Sequence, residues 1–140
     1  MNRPIYETPA DVKRESDVAD FLAKAWRCDF VKMPFKSIYD YAAMRGKLVE
    51  AIIEIKTRTN PHNQYPTYMI SAEKVCQCMD RSMRLNVPFY LVVNFTDALM
   101  FWRADTNDFT VELGGRKDRG DSQDIELVCH IPINYFKMVK

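Results

Sequence analysis

Glycine is scarce in this chain, with four residues in 140. That excludes long flexible linkers, which are built largely from Gly and Ser. Histidine is rarer still, at two, and the four cysteines (Cys28, Cys76, Cys78 and Cys129) form no CxxC. A structural zinc site needs about four converging N or S ligands. His62 and His130 are far apart in sequence, and Cys76 and Cys78, two apart in a helical pattern, do not face each other. The spacing therefore argues for reduced, mostly buried thiols rather than zinc. No N-terminal apolar run resembles a signal peptide, and no stretch approaches transmembrane length, so the expectation is a soluble, intracellular, cytoplasmic protein without a membrane partner. An excess of either charge is also missing: 20 basic residues face 19 acidic ones, a net +1. A globally basic nucleic-acid binder is thereby excluded, but a local basic stripe is not.

What the chain does have is a hydrophobic fraction of 47%, enough for a sizeable core. The length suits one domain, residues 1–140. Thr8-Pro9-Ala10-Asp11 is a helix start, with Thr8 as cap, Pro9 at the first helical position and an acid in the first turn. The helix should reach Ala25 or Trp26, with Val18, Ala19, Leu22, Ala25 and Trp26 as its apolar stripe. At helical spacing, that stripe extends back to Glu15, a carboxylate in line with the buried face.

Three β-like segments follow: Cys28 to Met33, Ser37 to Ala43, and Leu48 to Arg58, the last two joined by a turn at Arg45-Gly46-Lys47. Asp40 is placed mid-strand in the second segment, where an ionised carboxylate is costly unless paired, solvated or bound to a cation. In the third segment, alternation puts Ala51, Ile53 and Ile55 on one face and Glu50, Ile52, Glu54 and Lys56 on the other. An acid and an ammonium thus sit side by side at a strand end. A loop spans Arg58 to Pro66. Ser71 then caps a second helix running to about Leu85, with the stripe Ala72, Val75, Cys76, Met79 and Met83. Lys74 falls in its first turn, where it opposes the helix dipole. Phe89 to Phe95 reads as a strand buried on both faces, and the intervening helix implies parallel pairing with the Glu54 strand. Leu99 to Arg103 and Phe109 to Leu113 are expected to extend the sheet antiparallel. A last strand is read at Ile125 to Ile131, and a short helix or tail follows from Pro132.

The order helix, three antiparallel strands, helix, strand, with Asp40 before the hairpin turn and Glu54-Ile55-Lys56 after it, resembles the PD-(D/E)xK nuclease superfamily. The likeness covers about Asp11 to Phe95. Tyr39 stands where the superfamily usually has proline. The resemblance implies an α/β, restriction-endonuclease-like core with extra C-terminal strands. It implies a Mg²⁺-dependent deoxyribonuclease, with Mn²⁺ also supporting activity. Asp40, Glu54, the backbone carbonyl of Ile55 and Glu15 would hold metal, Mg²⁺ favouring hard oxygen ligands. Lys56 would hold the attacking water and offset developing charge, completing a catalytic set of Asp40, Glu54, Lys56 and Glu15. Lys74 resembles a further lysine or glutamine that some members carry near this place.

DNA contacts are expected from Arg58, Lys74 and the basic loop residues Arg116, Lys117 and Arg119, with Lys32, Lys36, Arg45 and Lys47 as a second basic cluster around the hairpin. The implied role is DNA processing, repair or recombination, with phage or mobile-element origin and a homodimer as the expected assembly. The competing readings are an inactive nuclease-like module that binds DNA or protein, and a small interaction protein whose motif is accidental.

Overall fold

The computed structural model describes residues 9–34, 36–104, 109–115 and 125–139. The chain runs α1 (Pro9–Trp26), β1 (Asp29–Lys32), β2 (Tyr41–Arg45), β3 (Leu48–Thr57), β4 (Thr67–Ser71), α2 (Ala72–Leu85), β5 (Phe89–Asn94) and β6 (Leu99–Arg103). After these come β7 (Thr110–Gly115), β8 (Ile125–Pro132), a 3-10 turn (Ile133–Tyr135) and β9 (Lys137–Met138). Six strands form one sheet in the order β1-β2-β3-β5-β6-β9, and three form another, β4-β8-β7. Helix α1 starts at Pro9 as the sequence implies, while Thr8, its expected cap, lies outside the described residues. Among the described residues no helix is long and apolar enough to cross a membrane.

Strand alternation sorts the core into two layers. Ala51, Ile53 and Ile55 of β3 pack with Val92 against Val18, Ala19 and Leu22 of α1. Ile52 of β3, with Phe89, Leu91 and Val93 of β5, packs on the opposite face against α2 and the second sheet. β3 is therefore covered on both sides, and it pairs antiparallel with β2 and parallel with β5 as expected. The hairpin turns at Gly46, whose φ of +60° is a conformation favouring glycine.

Several expectations need correcting. Asp40 is not mid-strand: β2 starts at Tyr41, and residues 38–40 bend. The Ile38 carbonyl is drawn toward α2, accepting from Lys74 Nζ at 2.6 Å, so this backbone leaves the ladder. Asp40 still anchors to it, donating its N–H to the Ile53 carbonyl at 3.0 Å. β7 does not extend the main sheet, because that edge of β6 is occupied by β9, with Met100 opposite Met138. β7 instead pairs with β8, which pairs with β4, a strand that follows the expected loop. The stripe of α2 is also narrower than its periodicity suggests. Ala72, Val75 and Cys78 are buried, Met83 is 80% exposed, and Cys76 faces solvent. Cys76 and Met83 stand roughly 80–100° around the helix from Val75, off the contact line.

Candidate active site

The C-terminal end of β3 carries Glu54, Ile55 and Lys56 side by side, and the bend before β2 brings Asp40 against them. Asp40 Oδ2 accepts the N–H of Ile55 at 2.8 Å. The N–H and C=O of a strand residue point to the same edge. The Ile55 carbonyl accordingly faces the Asp40 edge too.

Glu54 is 2% exposed although ionisable. Burial, and next the charge of Asp40, push its carboxyl up to about 7, while Lys56 and Lys74 pull the other way. Lys56 Nζ lies 3.5 Å from Glu54 Oε2 and Lys74 Nζ 3.7 Å from Oε1. Neither contact satisfies Oε1, which is buried with no hydrogen-bond partner. A buried, unsatisfied carboxylate oxygen is costly, and that cost is offset when a cation is bound.

Lys74 reaches the site because Ser71 caps α2: the Ser71 hydroxyl accepts the Lys74 N–H at 3.3 Å and donates to Glu126 of β8 at 3.2 Å. The ammonium then bridges the Ile38 carbonyl and Glu54. Its unfavourable place near the helix N-terminus is outweighed by these partners.

Glu15, 7% exposed on the inward stripe of α1, meets Asp40 from the other side. Burial, then the charge of Asp40, raises its carboxyl above the usual range. Lys32 Nζ donates to Glu15 Oε2 at 3.0 Å and lies 3.9 Å from Asp40 Oδ1. It also rests 5.0 Å from the centroid of the Tyr41 ring. Burial lowers the Lys32 ammonium, but Glu15 and Asp40 outweigh it and hold its pKa above the ordinary lysine range.

Asp40 is thus the middle of a row, with Glu15 and Lys32 on one side and Glu54, Lys56 and Lys74 on the other. By sequence, Lys32 groups with the basic residues around the hairpin. The structure divides that cluster: Lys32 stands opposite Tyr41 at the carboxylate end, while Arg45 pairs with Glu50 at 3.0 Å near the hairpin turn. The legible signal was register, since a lysine ending β1 just before Pro34 must lie across from the start of β2.

Arg58 stands apart from the carboxylates. Its guanidinium lies 4.8 Å from the Tyr68 ring centroid and Nη2 donates to the Met69 carbonyl at 3.4 Å. Arg116, Lys117 and Arg119 lie outside the described residues.

Among the described residues no three Asp, Glu, His or Cys side chains converge as a cage for a metal ion. A donor set of two carboxylates, one with an orphaned oxygen, and a strand-edge carbonyl is a hard, oxygen-only set. It fits Mg²⁺, which takes few protein ligands and keeps water or phosphate for the rest. It does not fit a soft-ligand metal.

A family model described as "Phage putative PDDEXK endonuclease" matches residues 1–139. The chain belongs to that family. No match was found among curated proteins. Among solved structures, this PDDEXK endonuclease is similar to Hjc, a Holliday junction resolvase from the archaeal hyperthermophile Archaeoglobus fulgidus. The TM-score is 0.53 at 19% identity, over 69% of this chain and 82% of that one. At that identity the likeness establishes the fold: a restriction-endonuclease-like α/β core carrying extra strands.

Proposed function

We propose that this PDDEXK endonuclease is a divalent-metal-dependent deoxyribonuclease acting in DNA processing, repair or recombination. The observation that carries the reading is the buried Glu54 carboxylate, with Oε1 orphaned, Lys74 3.7 Å from that oxygen and Lys56 3.5 Å from Oε2. Asp40, Glu54 and the Ile55 carbonyl would hold Mg²⁺ or Mn²⁺, which supplies charge shielding on the scissile phosphate. Lys56, about one-third exposed and 3.5 Å from Glu54 Oε2, would orient an attacking water and offset negative charge as it develops. Lys74 holds Glu54 from the helix side and offers a second cation to the phosphate. Glu15, restrained by Lys32, positions Asp40 and stands by as a further metal or water ligand.

Arg58, Arg116, Lys117 and Arg119 are proposed as phosphate contacts that position the strand without reading its sequence. The single-domain reading of 1–140 is supported by a family match over nearly the whole chain. A homodimer would account for two-strand cleavage by so small a chain, and the phage family supports the host cytoplasm as the setting.

The test is a cleavage panel of supercoiled plasmid, linear duplex, single strand, four-way junction and RNA. Each is incubated with Mg²⁺ or Mn²⁺ and with wild type, Glu54→Ala or Lys56→Ala. Metal-dependent cleavage of a DNA substrate by wild type, lost in both variants, is the expected result. No metal-dependent cleavage of any substrate by wild type would sink the enzyme reading, leaving an inactive binding module.

A further inference from the structure

A cavity that the proposed chemistry does not use lies just beyond the strand end that bears Lys56. Its volume is about 490 Å³, within the usual range of small-ligand sites. Its walls include Arg58, His62, Tyr65, Tyr68, Phe95 and His130. Five of these are flat aromatic or imidazole rings, and three of them touch edge-on through Phe95: His62 with Phe95 at 6.4 Å and Tyr68 with Phe95 at 6.2 Å between centroids. Arg58 spreads its guanidinium over Tyr68, and Tyr65 is 57% exposed with its ring unburied. Among the described residues lining the cavity none is acidic.

The location is as informative as the lining. Arg58 follows Lys56 by two residues, so their backbones are about 7 Å apart along the extended chain. A polyanionic strand whose phosphate lies at Lys56 passes the mouth of this cavity at a neighbouring nucleotide.

We propose that the cavity receives one unstacked nucleobase of the bound nucleic-acid strand, held between the Tyr65 ring and the Arg58 guanidinium. This rests on the nucleic-acid reading above and deepens it, because it makes the substrate one with an unpaired or easily unpaired base beside the cut. Base stacking on aromatic and guanidinium planes is tolerant of sequence. The pocket therefore selects substrate structure rather than sequence.

The test is binding of metal-free wild type to labelled single-stranded and gapped oligonucleotides in which one abasic position is walked along the strand. Binding is expected to weaken about tenfold at one position, in line with the stacking of a single base. Tyr65→Ala should weaken binding of the intact strand by a similar factor and abolish the abasic penalty. Arg58→Lys, which keeps the charge but loses the plane, should shrink that penalty while preserving the salt dependence. Thermal melting checks that both variants fold. Equal binding of every abasic strand by wild type would overturn the pocket alone, as would Tyr65→Ala weakening intact and abasic strands alike. Failure to bind any strand would overturn the nucleic-acid reading beneath it and the pocket with it. Free deoxyadenosine monophosphate should not displace the strand at matching concentrations. If it does, the cavity belongs to a free nucleotide and the strand assignment is overturned.

Discussion

Asp40 accepts the backbone N–H of Ile55 at 2.8 Å, so the first acid of the site is fastened to the residue between the second acid and the lysine. One contact thereby sets the spacing of Asp40, Glu54 and Lys56 together.

That contact separates structure from charge. Asp40→Asn keeps an acceptor oxygen for Ile55 and should melt close to wild type, while losing at least about a hundredfold in cleavage if the carboxylate holds metal. Asp40→Ala should lose activity and in addition about 1–3 kcal/mol of stability, because a charge-assisted backbone bond goes unmade. Melting curves beside plasmid nicking assays check both.

Glu54 makes stability depend on pH in the metal-free protein. Burial and the charge of Asp40 push its carboxyl in the folded protein up to about 7, from the ordinary glutamate value of 4.5 that the unfolded chain keeps. The folded state binds the extra proton between those values, so this group's contribution is fully present below about 4.5 and fades as pH rises through 7. The loss is on the order of 3 kcal/mol by the usual conversion. Thermal melts in EDTA from pH 5 to pH 8 should show the decline, and Glu54→Gln should flatten it. A wild-type slope that persists in the variant would assign the dependence elsewhere.

The four thiols should react in a defined order. Cys76 is exposed on α2 and should label first, with Cys28, half-buried, following more slowly. Burial pushes Cys78 up to about 12 and Cys129 up to about 11, so both are protonated at pH 8 and shielded as well. Timed alkylation read by mass spectrometry should find Cys78 and Cys129 modified only after denaturation.

Gly46 and Gly114 should fail for different reasons when substituted. A side chain at Gly46 meets nothing within 4 Å, but φ is +60°, so Gly46→Ala should cost about 1–2 kcal/mol through the backbone and Gly46→Asn less. At Gly114 an added Cβ would fall 2.8 Å from Val128 Cγ2, so Gly114→Ala should be rescued in part by Val128→Ala. Denaturant melts of the two single variants and the Gly114 and Val128 pair measure this.

Much of the site was legible because it rests on period. Alternation along β3 put Glu54 and Lys56 on one face, and helical spacing put Glu15 on the buried stripe of α1. Asp40 stands out in the sequence as an acid in an apolar setting, but its position does not: aromatic and β-branched residues at 38–41 suggest a strand, whereas the pull of Lys74 on the Ile38 carbonyl is a tertiary effect. Lys32 and Lys74 share that cause. Each looks solvated locally, and each gains its role from a partner 17 or 36 residues away. The second sheet was illegible for a similar reason, since only the two-residue strand β9 decides that β7 must pair elsewhere.

Ser71 ends β4, caps α2 and bonds to Glu126 of β8, so it is a joint common to three elements. Lys74 lies three residues beyond that joint and touches Glu54. The second sheet is therefore not a passive cover on the core. Through Ser71 and the first turn of α2, it shares a continuous line of contacts with the ammonium that lies 3.7 Å from Glu54 Oε1.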